Sequence, residues 1–154
     1  MGRRYDLSHQ SRVCAMSKRR KTAAQIREMG RGFFRWQDSG DLQSVRHFKN
    51  IVAVCKGTPS VSHWLPSQEV GKLIKYDRLV NEGKADPVPP NLLVRVSSVM
   101  IGDRPRQRLP LWCFTSTIDS GVGHRCPSLD QGGVCGSCRA CWDRTVPNID
   151  YRKH

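Results

Sequence analysis

Four of the seven cysteines fall within sixteen positions near the C-terminus, as Cys126-x8-Cys135-x2-Cys138-x2-Cys141. Thiolates ligate zinc and iron–sulfur clusters, and either needs about four of them at one point. Gly132, Gly133 and Gly136 lie among them, and glycine allows the tight backbone that such convergence requires. The short steps from Cys135 to Cys138 to Cys141 suit a cubane cluster, whose corners are taken one after another. They also suit zinc, which uses a Cys-x-x-Cys knuckle with two further ligands. Zinc ribbons set two knuckles far apart, so a 4Fe–4S cluster is the first expectation and zinc the second. Disulfides or free thiols are the alternatives without a metal. His124, two residues before Cys126, can replace one thiolate in a zinc site. Trp142 follows Cys141 directly and is placed to pack over the site and exclude water.

Other chemistry is sparse. Ser39, His63 and Asp38 can be assembled into a triad on paper, but no Gly-x-Ser-x-Gly elbow and no phosphate loop ending in Lys-Ser or Lys-Thr is present. Cys14, Cys55 and Cys113 stand alone in apolar or helical contexts and read as small buried hydrophobes.

The site needs a scaffold, and alternating patterns along the chain supply one. Residues 11–30 read as a helix with a weak apolar face at Val13, Met16, Ala23, Ala24 and Ile26. Strand candidates follow at 33–36, 61–65, 92–96 and 111–114, with helices over about 42–54 and 70–82 between the first three. Ser39 or Asp41 is the expected N-cap of the first of these helices. Strand and helix in alternation predict an α/β fold with a parallel sheet. Too few βα units are present for a closed eight-stranded barrel. The expectation is a partial (β/α) barrel or open parallel sheet carrying a C-terminal cysteine-rich metal-binding segment. The chain then divides into a basic helical segment at 1–32, a βα-repeat core at 33–118 and the metal-binding segment at 119–154.

Each candidate strand is followed by polar side chains: Asp38 and Asp41, Ser67 and Glu69, Ser97 and Ser98, Thr115 and Ser116. Ligands of parallel sheets bind at the carboxyl ends of strands. Asp38, Asp41, Glu69 and Ser97 are therefore the catalytic candidates, and Asp38, Glu69, Ser97 and Thr115 are expected at one edge. Helix caps and ordinary turns explain some of them equally well.

The formal net charge is +13, from 26 basic and 13 acidic residues. Residues 1–35 hold ten Lys or Arg against Asp6 and Glu28, with the densest run at Lys18-Arg19-Arg20-Lys21. Residues 18–35 are thus a candidate contact for nucleic acid phosphates, or a solvated face. No apolar run reaches the length of a membrane span, and the N-terminus does not read as a secretion signal. The expected compartment is the cytoplasm, whose reducing conditions favour metal ligation over disulfides.

Four ordered blocks carry a family resemblance: Phe33-Phe34-Arg35-Trp36-Gln37-Asp38-Ser39-Gly40-Asp41-Leu42-Gln43-Ser44, His63-Trp64-Leu65-Pro66-Ser67-Gln68-Glu69, Pro90-Asn91-Leu92-Leu93-Val94-Arg95-Val96-Ser97-Ser98, and Cys135-Gly136-Ser137-Cys138-Arg139-Ala140-Cys141-Trp142-Asp143. Together they resemble the bacteriophage gene product 88 family. More distantly, they resemble phage proteins with a radical S-adenosylmethionine-like barrel. The resemblance implies that longer relatives carry a cysteine-rich segment ahead of the first block. Here that region holds Cys14 alone, without a Cys-x3-Cys-x2-Cys run, so no S-adenosylmethionine-cleaving cluster is expected in this chain. Ser67-Gln68-Glu69 stands where the resemblance implies Thr-Arg-Glu, which removes an anion-binding arginine from that loop. A truncated barrel is expected to expose its N-terminal edge strand, and to call for a protein partner or self-association to cover it. The alternative is a basic, zinc-stabilised accessory protein that binds nucleic acid or a host protein.

Overall fold

The computed structural model describes residues 32–37, 40–104 and 108–153. The expected helix over 11–30, the basic run at 18–21, Cys14, Asp38 and Ser39 lie outside those residues.

Among the described residues, six strands form one sheet, and every pairing is parallel. They are β1 (Phe33–Arg35), β2 (Ser62–Ser67), β3 (Leu92–Ser97), β4 (Cys113–Ile118), β5 (His124–Arg125) and β6 (Asn148–Tyr151). Their order is β1-β2-β3-β4-β6-β5, and the sheet curls as a half-barrel. Helix α1 (Val45–Lys56) links β1 to β2, and α2 (Val70–Asn81) links β2 to β3. The parallel partial barrel expected from the alternating pattern is thus the fold.

Helix α1 forms because Phe48, Ile51, Val52 and Cys55 recur at helical spacing and are all buried. Its N-cap is Ser44 rather than Ser39 or Asp41. Ser44 has extended backbone, and its hydroxyl accepts from His47 N at 3.0 Å. Asp41 is engaged elsewhere, as described below. Leu42, expected in the helix, is buried in the loop before it. Phe48 lies between Tyr76 of α2, edge-on at 4.6 Å, and Trp112, stacked at 5.7 Å. Burying such a ring stabilises the fold by about 2–3 kcal/mol.

The central strand β3 is buried on both faces from Leu92 to Val96, as parallel sheets with two covered faces require. On one face, Phe34, Trp36, Leu65, Val94 and Val96 pack in one cluster with the residues of α1 and α2. On the other, Trp64, Leu93 and Ile149 pack with Ala140 and Cys141 of the cysteine-rich segment. That segment therefore replaces a third layer. It also contributes β5 and β6 to the sheet, which the sequence reading does not anticipate.

Candidate metal centre

The cysteine-rich segment is built from tight turns. Cys126 follows β5, and its N–H donates to Asp150 O at 2.9 Å. A 3-10 turn at Ser128–Gln131 precedes Gly132 and Gly133, whose φ values of +68° and +81° suit glycine. Cys138 N donates to Cys135 O at 3.0 Å, closing the Cys-x-x-Cys turn. A second 3-10 turn, Ala140–Trp142, lies against β2.

The thiols share one neighbourhood. Cys126 and Cys138 are partly buried in the same cluster as buried Cys141. Cys141 Sγ is 3.3 Å from Tyr151 Oη, Cys126 Sγ is 3.3 Å from Ser128 Oγ, and Cys138 Sγ is 3.6 Å from His124 Nε2. Cys135 is exposed. Burial pushes the Cys141 thiol up to about 11; Cys126 and Cys135 add to the shift, while the Tyr151 hydrogen bond and Arg95 oppose it. Burial also raises the Cys135 thiol, with Cys126 and Cys138 adding to it. Thiols this close resist joint ionisation, a resistance that a coordinating cation reverses.

The donor chemistry therefore suits zinc or an iron–sulfur cluster. Among the described residues, however, no three His, Cys, Asp or Glu side chains stand at the spacing of a single-ion site.

Arg95 anchors the segment. It lies mid-strand in β3 with no solvent exposure. Its Nε donates to Cys141 O at 3.1 Å, and Nη1 donates to Thr115 O at 3.3 Å. Its Nη2 reaches the carbonyls of Ala140, Asp143 and Val146 at 3.0, 3.0 and 2.9 Å. The sequence reading missed this role, although an arginine inside Leu-Leu-Val-Arg-Val was the available signal. Trp142 packs edge-on against Trp64 and Phe33, and its Nε1 donates to Phe34 O at 3.1 Å.

Another polar network holds the far side of the sheet. Asp150 is buried and accepts from Thr117 Oγ1, Ser120 N, Ser120 Oγ and Gly121 N at 2.9–3.0 Å. Burial opposes its charge, but these hydrogen bonds outweigh that and hold its carboxyl below the ordinary range. Thr115 Oγ1 donates to Asn148 Oδ1 at 2.7 Å, and Asn148 Nδ2 donates to Thr117 Oγ1 at 2.9 Å.

Among the described residues, no hydrogen bond joins the side chains of Asp41, Glu69 and Ser97 to one another. Asp41 takes hydrogen bonds from Ser67 Oγ and Gln68 N, both at 2.5 Å, and so clamps the loop after β1 to the end of β2. Glu69 is the N-cap residue of α2 and pairs with Lys72 at the helix surface. Ser97 ends β3, and its hydroxyl lies 3.0 Å from Ser116 Oγ. Of the four residues expected at one edge, Glu69 follows the end of β2 and Ser97 ends β3, while Asp38 lies outside the described residues. Thr115 does not end its strand: β4 continues to Ile118, which places Thr115 inside the strand, bonded to Asn148.

A cleft of about 620 Å³ opens elsewhere, beside the first residue of β1, with Phe33, His124, Ser137, Arg139, Trp142 and Asp143 among its walls.

Fold and site together define an α/β half-barrel whose second face is roofed by a cysteine-rich segment. The sequence model of the Gene product 88 family matches residues 3–112, and the chain belongs to this family of phage proteins. The match spans β1–β3 with both helices and takes in three of the four resemblance blocks; the block at 135–143 lies beyond it. No curated protein and no solved structure matches the chain. Among the described residues no helix is long and apolar enough to cross a membrane.

Proposed function

We propose that this Gene product 88 protein is a half-barrel scaffold whose Cys126, Cys135, Cys138 and Cys141 hold one metal centre. A 4Fe–4S cluster is the first choice and zinc the second. The observation that carries this reading is the gathering of the cysteine segment over one sheet face, with its Cys-x-x-Cys turn already closed and Cys141 tied to Arg95. When bound, the centre would supply local folding energy and, if iron–sulfur, an electron-transfer site. The protein's own residues supply the rest: Arg95 fixes the segment, Tyr151 donates toward Cys141, and Trp142 limits water access. The scaffold descends from a radical S-adenosylmethionine-like barrel, without the three-thiolate motif that S-adenosylmethionine cleavage requires. Metal analysis of anaerobically purified protein tests the reading, because a chain that retains neither iron nor zinc defeats it.

The net charge of +13 favours a second reading. In it, a zinc-stabilised accessory protein contacts nucleic acid through basic residues that include 18–35, or meets a host protein in the host cytoplasm. The edge strand β1 would be covered by such a partner or by a second copy.

A further inference from the structure

We propose that the cleft beside the cysteine-rich segment binds one nucleotide of a single-stranded nucleic acid. This site gives the nucleic-acid reading a location and rests on that reading. A cleft of about 620 Å³ lies within the range of small-ligand sites. Its walls combine what a base and a phosphate need. Phe33 keeps 44% of its surface exposed. Its ring is held edge-on by Trp142 at 5.6 Å, and the Arg139 guanidinium lies 5.3 Å from its centroid. Bases stack on aromatic rings and on guanidinium planes alike.

Among the described residues, Arg139 makes its hydrogen bonds through Nη1 alone, donating to Gly136 O at 2.9 Å and Cys138 O at 2.7 Å. Nε and Nη2 remain to meet a phosphate. Asp143 accepts from Thr145 N and Thr145 Oγ1 through Oδ1 at 2.8 and 2.7 Å. Its Oδ2 is left to accept from an amino group such as cytosine N4. The exposed hydroxyl of Ser137 stands on the same wall. The excess of positive charge over the whole chain draws the polyanion in. An acidic protein surface would answer that charge but would make no use of the stacking platform.

The test uses the full chain and a labelled oligo(dC) of about twelve nucleotides, set against an abasic strand of equal length. Fluorescence anisotropy should show oligo(dC) binding roughly ten-fold or more tightly than the abasic strand. Phe33→Leu should close that gap by weakening oligo(dC) binding toward that of the abasic strand, with metal content and melting temperature measured on the same variant. Arg139→Gln should weaken both strands and lower the slope of log affinity against log salt by about one. Equal binding of the two wild-type strands would overturn the site and leave charge as the sole basis of the nucleic-acid reading. A gap that survives Phe33→Leu would do the same. No binding to either strand would overturn the site and the nucleic-acid reading together.

Discussion

The Arg95 side chain and the Cys141 carbonyl are joined by a 3.1 Å hydrogen bond across the face of the sheet, from a guanidinium wholly shielded from solvent. A charge so buried is costly unless its donors are used. Here they are used on main-chain carbonyls, most of them in the segment that follows Cys138. Arg95→Met should destabilise the protein by about 2–3 kcal/mol, because carbonyls of that segment lose their donors. Arg95→Lys should rescue little, since an ammonium cannot reproduce the fork. Urea denaturation gives the energies. Amide exchange should be fastest to rise at 140–146, and uniform acceleration across the fold would argue against a local anchor.

His63 makes stability fall in mild acid. Its ring is buried against Trp36 and Phe34. Thr58 donates to Val54 O at 2.8 Å, so Thr58 Oγ1 accepts from His63 Nε2–H, also at 2.8 Å, which fixes the tautomer. Among the described residues, Nδ1 has no hydrogen-bond partner. Burial lowers the pKa of His63 from 6.5 to about 4. Between those values the unfolded chain binds a proton that the folded chain refuses. Stability is therefore full above pH 6.5 and declines as the pH falls toward 4, by about 3 kcal/mol at most. Burial pushes half-buried His47 the same way, so some slope should survive in His63→Gln. Denaturant midpoints measured across this range should be flatter in that variant, and an unchanged profile would remove His63 as the cause.

Glycine matters most at position 123. Gly123 has φ +94°, and a Cβ there would lie 2.5 Å from Asn148 O. Gly123→Ala should cost more than about 2 kcal/mol and loosen the pairing of β5 with β6. Gly83→Ala is the control: φ is +69° with nothing within 4 Å of the added methyl, for a cost of about 1 kcal/mol. Equal losses would mean that the contact with Asn148 does not matter.

Asp41, one of the catalytic candidates, clamps Ser67 and Gln68 through two hydrogen bonds. Asp41→Asn should destabilise by about 1–2 kcal/mol through weakened bonds to that loop. Ser67→Ala should show much of the same loss, and a double-mutant cycle should return a coupling of about 1 kcal/mol. Additive losses would dissolve the clamp.

Local pattern made much of this fold legible. Phe48, Ile51, Val52 and Cys55 announce α1 by spacing alone, and Leu92 to Val96 announce a central strand. Alternation of these elements was enough to predict parallel pairing. The remainder depends on contacts distant in sequence. Nothing near Asp41 in sequence reveals that Ser67 Oγ and Gln68 N will donate to it. Strand β5 is two residues long and exists only because Ile149 and Asp150 are beside it. Ser44 takes the cap because the helix begins at Val45, later than the apolar spacing from Leu42 suggests. The Cys-x-x-Cys turn closed by Cys138 N and Cys135 O was legible in the spacing, whereas the buried Arg95 beneath the segment was not.

On the proposed reading, Cys126, Cys135, Cys138 and Cys141 hold one metal centre. The most direct measurement is metal content per chain in anaerobically purified wild type and Cys138→Ser, with amide exchange followed over 120–150. About four irons or about one zinc per wild-type chain are expected, with loss of that metal in the variant and collapse of protection across 120–150, because ligation and local folding are one free energy. A metal-free wild type, or a Cys138→Ser protein with unchanged metal content, would contradict this reading.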